Sequence, residues 1–414
     1  MSAPVTRRGG SAGALPLSWD AFARALRGER LPSAIVDLDA LDRNVARIAR
    51  AIEGSGKTLR VASKSVRHVG LLRRIMEGGG FEGLMCFTLE EACFLSDEGF
   101  DDLLVAYPSV GARGLAELSA RVARGATLRL VADDLAHLEA YGRAAREAGT
   151  TLEVVIDLDV AYRALSGRVH LGVLRSSVRG AGDVARLARG AERIEGVRVV
   201  GLMGYEAHVA GLTDDNPFSR ALNPARRAIK RLSIPRVAEL RREAVAALRR
   251  EGIEPAIVNG GGTGSLRTTV EEPWVTEVTA GSGFVCPHLF DYYEGNVLEP
   301  AAFFALEVCR IPERGVVTCL GGGYVASGEP GWDRLPLPHR PEGLRYVSME
   351  GAGEVQTPLL VPPGAPPIAI GDPIVFRHAK AGELAERFDT YLLVRGGEIV
   401  AREPTYRGMG RCFL

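Results

Sequence analysis

The chain has 414 residues, 51 basic and 51 acidic side chains, and a hydrophobic share of 46%. That length exceeds a lone (β/α)8 barrel of about 250 residues and leaves room for a second unit. Zero formal net charge leaves no electrostatic footprint for nucleic acid or an acidic membrane surface. No run nears the roughly 18 apolar residues of a bilayer span, and Arg7-Arg8-Gly-Gly-Ser lacks an apolar signal core. Six scattered cysteines without metal-ligand spacing read as reduced thiols. The expectation is a cytoplasmic protein with a small-molecule substrate and neither membrane nor nucleic acid as partner.

In chain order, residues 1–30 read as a tail followed by a short helix from Trp19 to Leu26. Residues 33–38 are a strand, and Asp39 is placed to cap a helix whose apolar positions Leu41, Val45, Ile48 and Ile52 keep a helical period. A second strand around Leu59 and Val61 ends on Lys64 and passes into a helix carrying Val69, Leu72, Ile75 and Met76. Strands then follow at 83–87, 102–106, 128–131, 152–156, 199–203, 256–259 and 274–278, with Thr88-Leu-Glu-Glu91 as a capping box. An irregular insert covers about 160–180, and a basic helical region over 224–251 breaks near Pro235, with Ser233 capping its second piece. Counted from Leu59, eight strands alternate with helices. This predicts an α/β fold, a (β/α)8 TIM barrel, with an open doubly wound sheet as the competing architecture. Past Pro287 short β-rich runs at 304–308, 315–319, 344–348, 373–376, 390–394 and 398–401 predict a C-terminal all-β domain over 287–414, leaving 31–286 to the barrel.

The chemistry centres on three stretches. A lysine at the carboxyl end of a barrel strand, Lys64, is either a salt-bridge partner or an amine nucleophile. Asn259-Gly-Gly-Gly-Thr-Gly264 follows the seventh strand and Ala280-Gly-Ser-Gly283 the eighth. Gly261, Gly262, Gly264 and Gly281 let successive N–H groups face one concavity, and Thr263 and Ser282 add hydroxyls, so the two loops predict a phosphate cup. An amine and a phosphate cup at one barrel mouth suit pyridoxal 5'-phosphate.

The stretches Ile35-Val-Asp-Leu-Asp-Ala-Leu-Asp-Arg-Asn44, Arg60-Val-Ala-Ser-Lys64, Gly204-Tyr-Glu-Ala-His208, the Gly-Gly-Gly-Thr-Gly loop and Thr276-Glu-Val-Thr-Ala-Gly-Ser282 resemble the D-threonine aldolase / D-serine dehydratase family. These are fold-type III pyridoxal-phosphate enzymes, alanine racemase-like in fold. The resemblance implies that strand 33–38 packs with the β domain and that the chain forms a homodimer. It implies a lyase acting on D-configured β-hydroxy-α-amino acids, by retro-aldol cleavage or by dehydration, with Lys64 holding the cofactor's aldehyde. Tyr205 and His208, at the end of the sixth barrel strand, are candidates to line the cofactor; the resemblance further implies that Arg163 approaches the pyridine nitrogen, with Arg175 as the rival, and that a His-x-Cys or His-x-Asp pair in the β domain binds a divalent metal.

The sequence departs from that pattern at the last point. Phe376-Arg-His378-Ala-Lys380 keeps the histidine but has a lysine for the second ligand, and a protonated lysine repels a metal. Either Lys380 supplies the positive charge and assists proton transfer with His378, or Glu383 or Glu354 joins His378 at a metal, or the pair is a solvated loop. Arg67, at the start of a helix whose dipole disfavours it, is a further candidate for a substrate carboxylate. Two alternatives remain at this stage: an amino-acid racemase, with Tyr324 or Tyr346 as a second base, and a non-catalytic carrier of the cofactor.

Overall fold

The computed structural model describes residues 16–164 and 169–413, so the expected tail over 1–15 lies outside the described residues. The strands, in chain order, are β1 Ser33–Asp37, β2 Thr58–Ala62, β3 Leu84–Cys86, β4 Leu103–Val105, β5 Leu128–Ala132, β6 Leu152–Asp157, β7 Tyr162–Ala164, β8 Val169–Leu171, β9 Val197–Gly204, β10 Ile257–Gly260 and β11 Glu277–Ala280. The C-terminal half adds β12 Ala302–Glu313, β13 Val316–Leu320, β14 Leu337–Arg340, β15 Arg345–Tyr346, β16 Gln356–Leu360, β17 Pro373–Arg377, β18 Thr390–Arg395 and β19 Glu398–Pro404.

Strands β2, β3, β4, β5, β6, β9, β10 and β11 close into one parallel barrel. The closed ring rules out the open sheet. Because side chains alternate along a strand, one set faces inward in layers. Met85, Leu104, Ala106, Val131, Val155, Met203 and Ile257 form the apolar inner layer. Two residues nearer the amino ends, Asp102, Arg129 and Glu153 join Arg60 and Glu277 in a chain of ion pairs, with Arg60 Nη2 2.7 Å from Glu277 and Arg129 Nε 2.7 Å from Glu153. Arg60 and Glu277 are buried, and charges this deep persist only when paired and hydrogen-bonded. They plug the amino-terminal end of the barrel and leave the carboxyl end for chemistry.

Strand β1 stays out of the barrel. It lies antiparallel to β12 and parallel to β18, with Ala34 opposite Phe304 on one side and Tyr391 on the other. It thereby sits inside a nine-stranded sheet built otherwise from the C-terminal strands.

Several local expectations needed correction. Asp37, rather than Asp39, caps the first long helix, Leu38–Ile52. Its Oδ1 accepts from the N–H groups of Asp39 and Ala40, because the strand runs straight into the helix. The helix Asn223–Arg250 continues through Pro235, and Ser233 is buried with its hydroxyl unpartnered instead of capping a second piece. Packing of Val237, Leu240, Ala244 and Leu248 carries the helix across the missing proline N–H. The insert near 160–180 contains the hairpin β7–β8. Strands β14 and β16, each carrying a proline, add to the short β-rich runs expected past Pro287.

Candidate active site

On leaving β2 the chain makes one 3-10 turn, Ser63–Ser65, and this turn presents Lys64 at the carboxyl end of the barrel with its side chain exposed. Its Nζ donates to the Tyr107 hydroxyl at 3.0 Å. Tyr107 lies two residues past β4, and the Arg175 guanidinium sits 5.3 Å from its ring and 5.9 Å from that of Tyr205. Asp157, the last residue of β6, fixes Arg175 through a 2.8 Å bond to Nε, while Nη2 donates 2.9 Å to the Ala106 carbonyl. Burial pushes the Asp157 carboxyl up to about 6 even though Arg175 opposes it. Burial also raises the Tyr107 phenol, but the charges of Lys64 and Arg175 outweigh it and leave the phenol below its ordinary value.

The two glycine loops meet beside this lysine. Thr263 Oγ1 accepts from the N–H groups of Gly281 at 3.4 Å and Gly283 at 3.0 Å, and Ser65 Oγ lies 3.3 Å from Ser282 Oγ. Close approach demands the glycines: a Cβ on Gly281 would lie 2.6 Å from Ser65 Oγ, and one on Gly264 would lie 2.2 Å from the Ala210 carbonyl. Gly261 and Gly262 spend their N–H groups internally, on Glu206 Oε2 and Ser265 Oγ, both at 3.1 Å. The N–H groups of Thr263, Gly264 and Ser282 have no acceptor among the described residues. Free N–H groups with Thr263, Ser282 and Ser65 hydroxyls around them form a nest suited to a phosphate. Ser65, which contributes to it, is next in sequence to Lys64, so the residues present fit pyridoxal phosphate.

Glu206 anchors the loop from below. It accepts from Ser265 Oγ at 2.6 Å, Thr269 Oγ1 at 2.5 Å, the Gly261 N–H and the Arg241 guanidinium. Burial alone would raise this carboxyl, yet Arg241 and the two hydroxyls lower it below its ordinary value.

A narrow recess beside Arg175, too tight for a water molecule, is lined by Val160, Ala161, Tyr205, Ala207 and His208. Burial holds His208 neutral, below its ordinary value, and its Nε2 has no partner. Burial pushes the Tyr205 phenol up to about 12. Of the two arginines considered, Arg175 reaches the mouth. Arg163 is on the hairpin, bound 2.6 Å from Asp159.

The β-domain pair lies on the same side. Gly382, two residues past Lys380, packs so tightly on the lysine turn that a Cβ there would lie 1.8 Å from the Lys64 carbonyl. Lys380 Nζ donates to Ser327 Oγ at 3.1 Å, and burial lowers its basicity, with Glu383 opposing and Arg334 and Lys64 assisting. His378 is buried, and burial, with His288 and Arg377 nearby, drops it to about 3, so the ring is neutral. Glu383 accepts from the Ser327 N–H at 3.0 Å and from its hydroxyl, while Glu354 is exposed. Among the described residues no group of three or more His, Cys, Asp or Glu side chains converges at one point. The Tyr346 hydroxyl donates to the Pro336 carbonyl, and Tyr324 packs edge-on to Phe304 and Phe388. Arg67 is not available to a substrate carboxylate: its guanidinium donates to Glu386 at 2.5 Å and to the Lys64 carbonyl at 3.1 Å.

The profile described as "Alanine racemase, N-terminal domain" matches residues 36–285. The chain belongs to this family. Within the alanine racemase family, a 3-hydroxy-D-aspartate aldolase of Paracoccus denitrificans is 26% identical over 251 residues, 61% of this chain and 59% of that protein. A D-threo-3-hydroxyaspartate dehydratase of a Delftia species is 32% identical over 128 residues, 31% of this chain and 33% of that protein. The chain thus matches less than two thirds of the length of these curated relatives. Over the whole fold, the crystal structure of D-threonine aldolase from Filomicrobium marinum superposes with a TM-score of 0.77 at 24% identity, covering 92% of this chain and 95% of that one.

Sequence reasoning missed Tyr107, Asp157 and Ser65 in this alanine racemase-type site, and it quoted Glu206 without a role. The signal was positional: each lies at or just beyond the carboxyl end of a barrel strand, the face already singled out by Lys64.

Proposed function

We propose that this chain is a pyridoxal-phosphate-dependent lyase acting on D-configured β-hydroxy-α-amino acids. The observation that carries the proposal is that Ser65, the residue after Lys64, reaches Ser282 Oγ at 3.3 Å, beside a nest of unclaimed N–H groups at Thr263, Gly264 and Ser282. When bound, pyridoxal phosphate supplies an electron sink for a bond broken at the substrate's Cα. The chain's own residues do the rest. Thr263, Gly264, Ser282 and Ser65 hold the phosphate, with Gly281 giving the close approach they need. Tyr205 and His208 flank the ring, and Arg175, fixed by Asp157, presents a permanent cation beside it. Tyr107 orients the Lys64 amine through its 3.0 Å hydrogen bond.

The substrate's β-hydroxyl falls to the side closed by Lys380 and His378. We assign Lys380, a cation where a metal ligand would otherwise stand, to stabilising negative charge on that oxygen, with His378 as its partner in the proton transfer. We assign residues 31–286 to the barrel domain, with strand β1 lent to the C-terminal sheet, and 287–414 to the β domain. A cytoplasmic homodimer is the assembly proposed.

The test incubates the cofactor-loaded protein with D- and L-forms of threonine, serine, phenylserine and 3-hydroxyaspartate. Glycine plus aldehyde indicates retro-aldol cleavage, keto acid plus ammonia indicates dehydration, and either supports the lyase. Racemisation without cleavage, or binding without any turnover, would replace it.

A further inference from the structure

We infer that Arg67 is a positioning residue that locks the Lys64 turn to the loops bordering the C-terminal sheet. The inference rests on Lys64 being the cofactor-holding amine. Arg67 has φ of 51°, a left-handed conformation that side chains with a Cβ resist and that glycine or asparagine would adopt at less cost. An arginine keeps such a conformation only where the surroundings over-determine it, and here they do.

Its Nε donates 3.1 Å to the Lys64 carbonyl and its Nη1 2.5 Å to Glu386. Its own carbonyl accepts from the Tyr406 N–H at 3.0 Å, and its N–H closes the turn onto the Ser63 carbonyl at 2.9 Å. The guanidinium lies 5.2 Å from the Phe87 ring. Gly382 abuts the same Lys64 carbonyl with no room for a side chain. Three separate C-terminal contacts, from Gly382, Glu386 and Tyr406, therefore end on the turn that carries the amine. Arg67 touches neither the phosphate nest nor the recess, so it acts through Lys64. Through it, the seat of the sheet on the barrel decides where the Lys64 amine stands relative to Tyr107 and Ser282.

The experiment compares the full chain with Arg67→Gly, Arg67→Lys and Glu386→Gln. Glycine accepts the left-handed backbone, so Arg67→Gly removes the guanidinium without adding strain. Each apoprotein is mixed with pyridoxal phosphate, quenched with borohydride over time, and digested to map the labelled lysine. Competition by inorganic phosphate is measured in parallel. Capture at Lys64 is expected to slow by roughly tenfold or more in Arg67→Gly, since a small misplacement of a reacting group costs up to about a hundredfold. Glu386→Gln should slow it less, Arg67→Lys should recover part of the rate, and phosphate competition should be unchanged in all three. Parental capture rates in both Arg67→Gly and Glu386→Gln would overturn the positioning role. If Arg67→Gly fails to fold, Glu386→Gln, whose backbone is untouched, decides alone. Label absent from Lys64 in the parent chain would overturn the reading of Lys64 itself, a result distinct from the other.

Discussion

Replacing Glu206 by glutamine should separate the loop that holds the phosphate from the barrel that supports it. Both partners of the Glu206–Arg241 pair are almost fully buried, with side-chain exposures of 3% and 1%. The carboxylate receives four donors, so an amide cannot replace it: its NH₂ would confront either the guanidinium or the hydroxyls of Ser265 and Thr269. Breaking a buried pair by removing one partner costs about 3–5 kcal/mol. Arg241 keeps Glu272 on Nη1, which places the expected loss at the low end, about 3 kcal/mol. The assay is urea unfolding of the apoprotein together with fluorescence titration by pyridoxal phosphate. Glu272→Gln serves as the control, because it breaks the other half of the same arginine pair without touching Gly261. Both variants should be destabilised, and Glu206→Gln alone should bind the cofactor at least tenfold more weakly, an effect of about 1.4 kcal/mol. Equal cofactor affinity in the two variants, or a stability loss in Glu206→Gln below about 1 kcal/mol, would refute the reasoning. Because the folded-state pKa of Glu206 is depressed, its contribution is present above its ordinary value and is lost as pH falls through the folded value.

Asp157 has the opposite sign: its carboxyl is raised from 3.8 to about 6, so its stabilising contribution is complete below 3.8 and is lost as pH rises through about 6. Acidification through about 6 also protonates the group that fixes Arg175, so cofactor affinity should fall there in the parent and show no inflection in Asp157→Asn, as titrations at a series of pH values would reveal. Lys64→Ala should retain phosphate-dependent binding of the cofactor yet yield no borohydride-stable label, and label elsewhere would count against Lys64. Lys380→Met should lower kcat by roughly a hundredfold or more, and the parent should keep its turnover after chelation. Loss of turnover restored by an added divalent ion would show that His378 has metal-ligating partners after all.

Local pattern carried much of this protein. Runs such as Leu128-Arg-Leu-Val131 and Leu152-Glu-Val-Val-Ile156 alternate or cluster apolar residues as strands must, and eight of them in order pointed to a barrel, whose closure over an open sheet the tertiary structure decided. Thr88 accepts from the Glu91 N–H as its spacing required, though the Glu91 carboxylate reaches back to the Phe87 N–H instead of that of Thr88. The glycine loops and Lys64 were visible because the residue type itself is the signal: no other side chain fits those approaches, and few others offer an amine.

The remainder depends on convergence across distance, which no neighbouring residue encodes. Arg163 and Arg175 are equally plausible as text, and only the fold carries one to Tyr107 and leaves the other on Asp159. Arg67 looked like a misplaced helix-start cation until Glu386 and Tyr406, more than three hundred residues away, proved to be its partners. Short-range periodicity and special residues determined the elements, their order and the amine. Which side chains meet at the barrel mouth was decided by strand closure and by the seating of the C-terminal sheet, because contact there is set by three-dimensional register rather than by spacing along the chain.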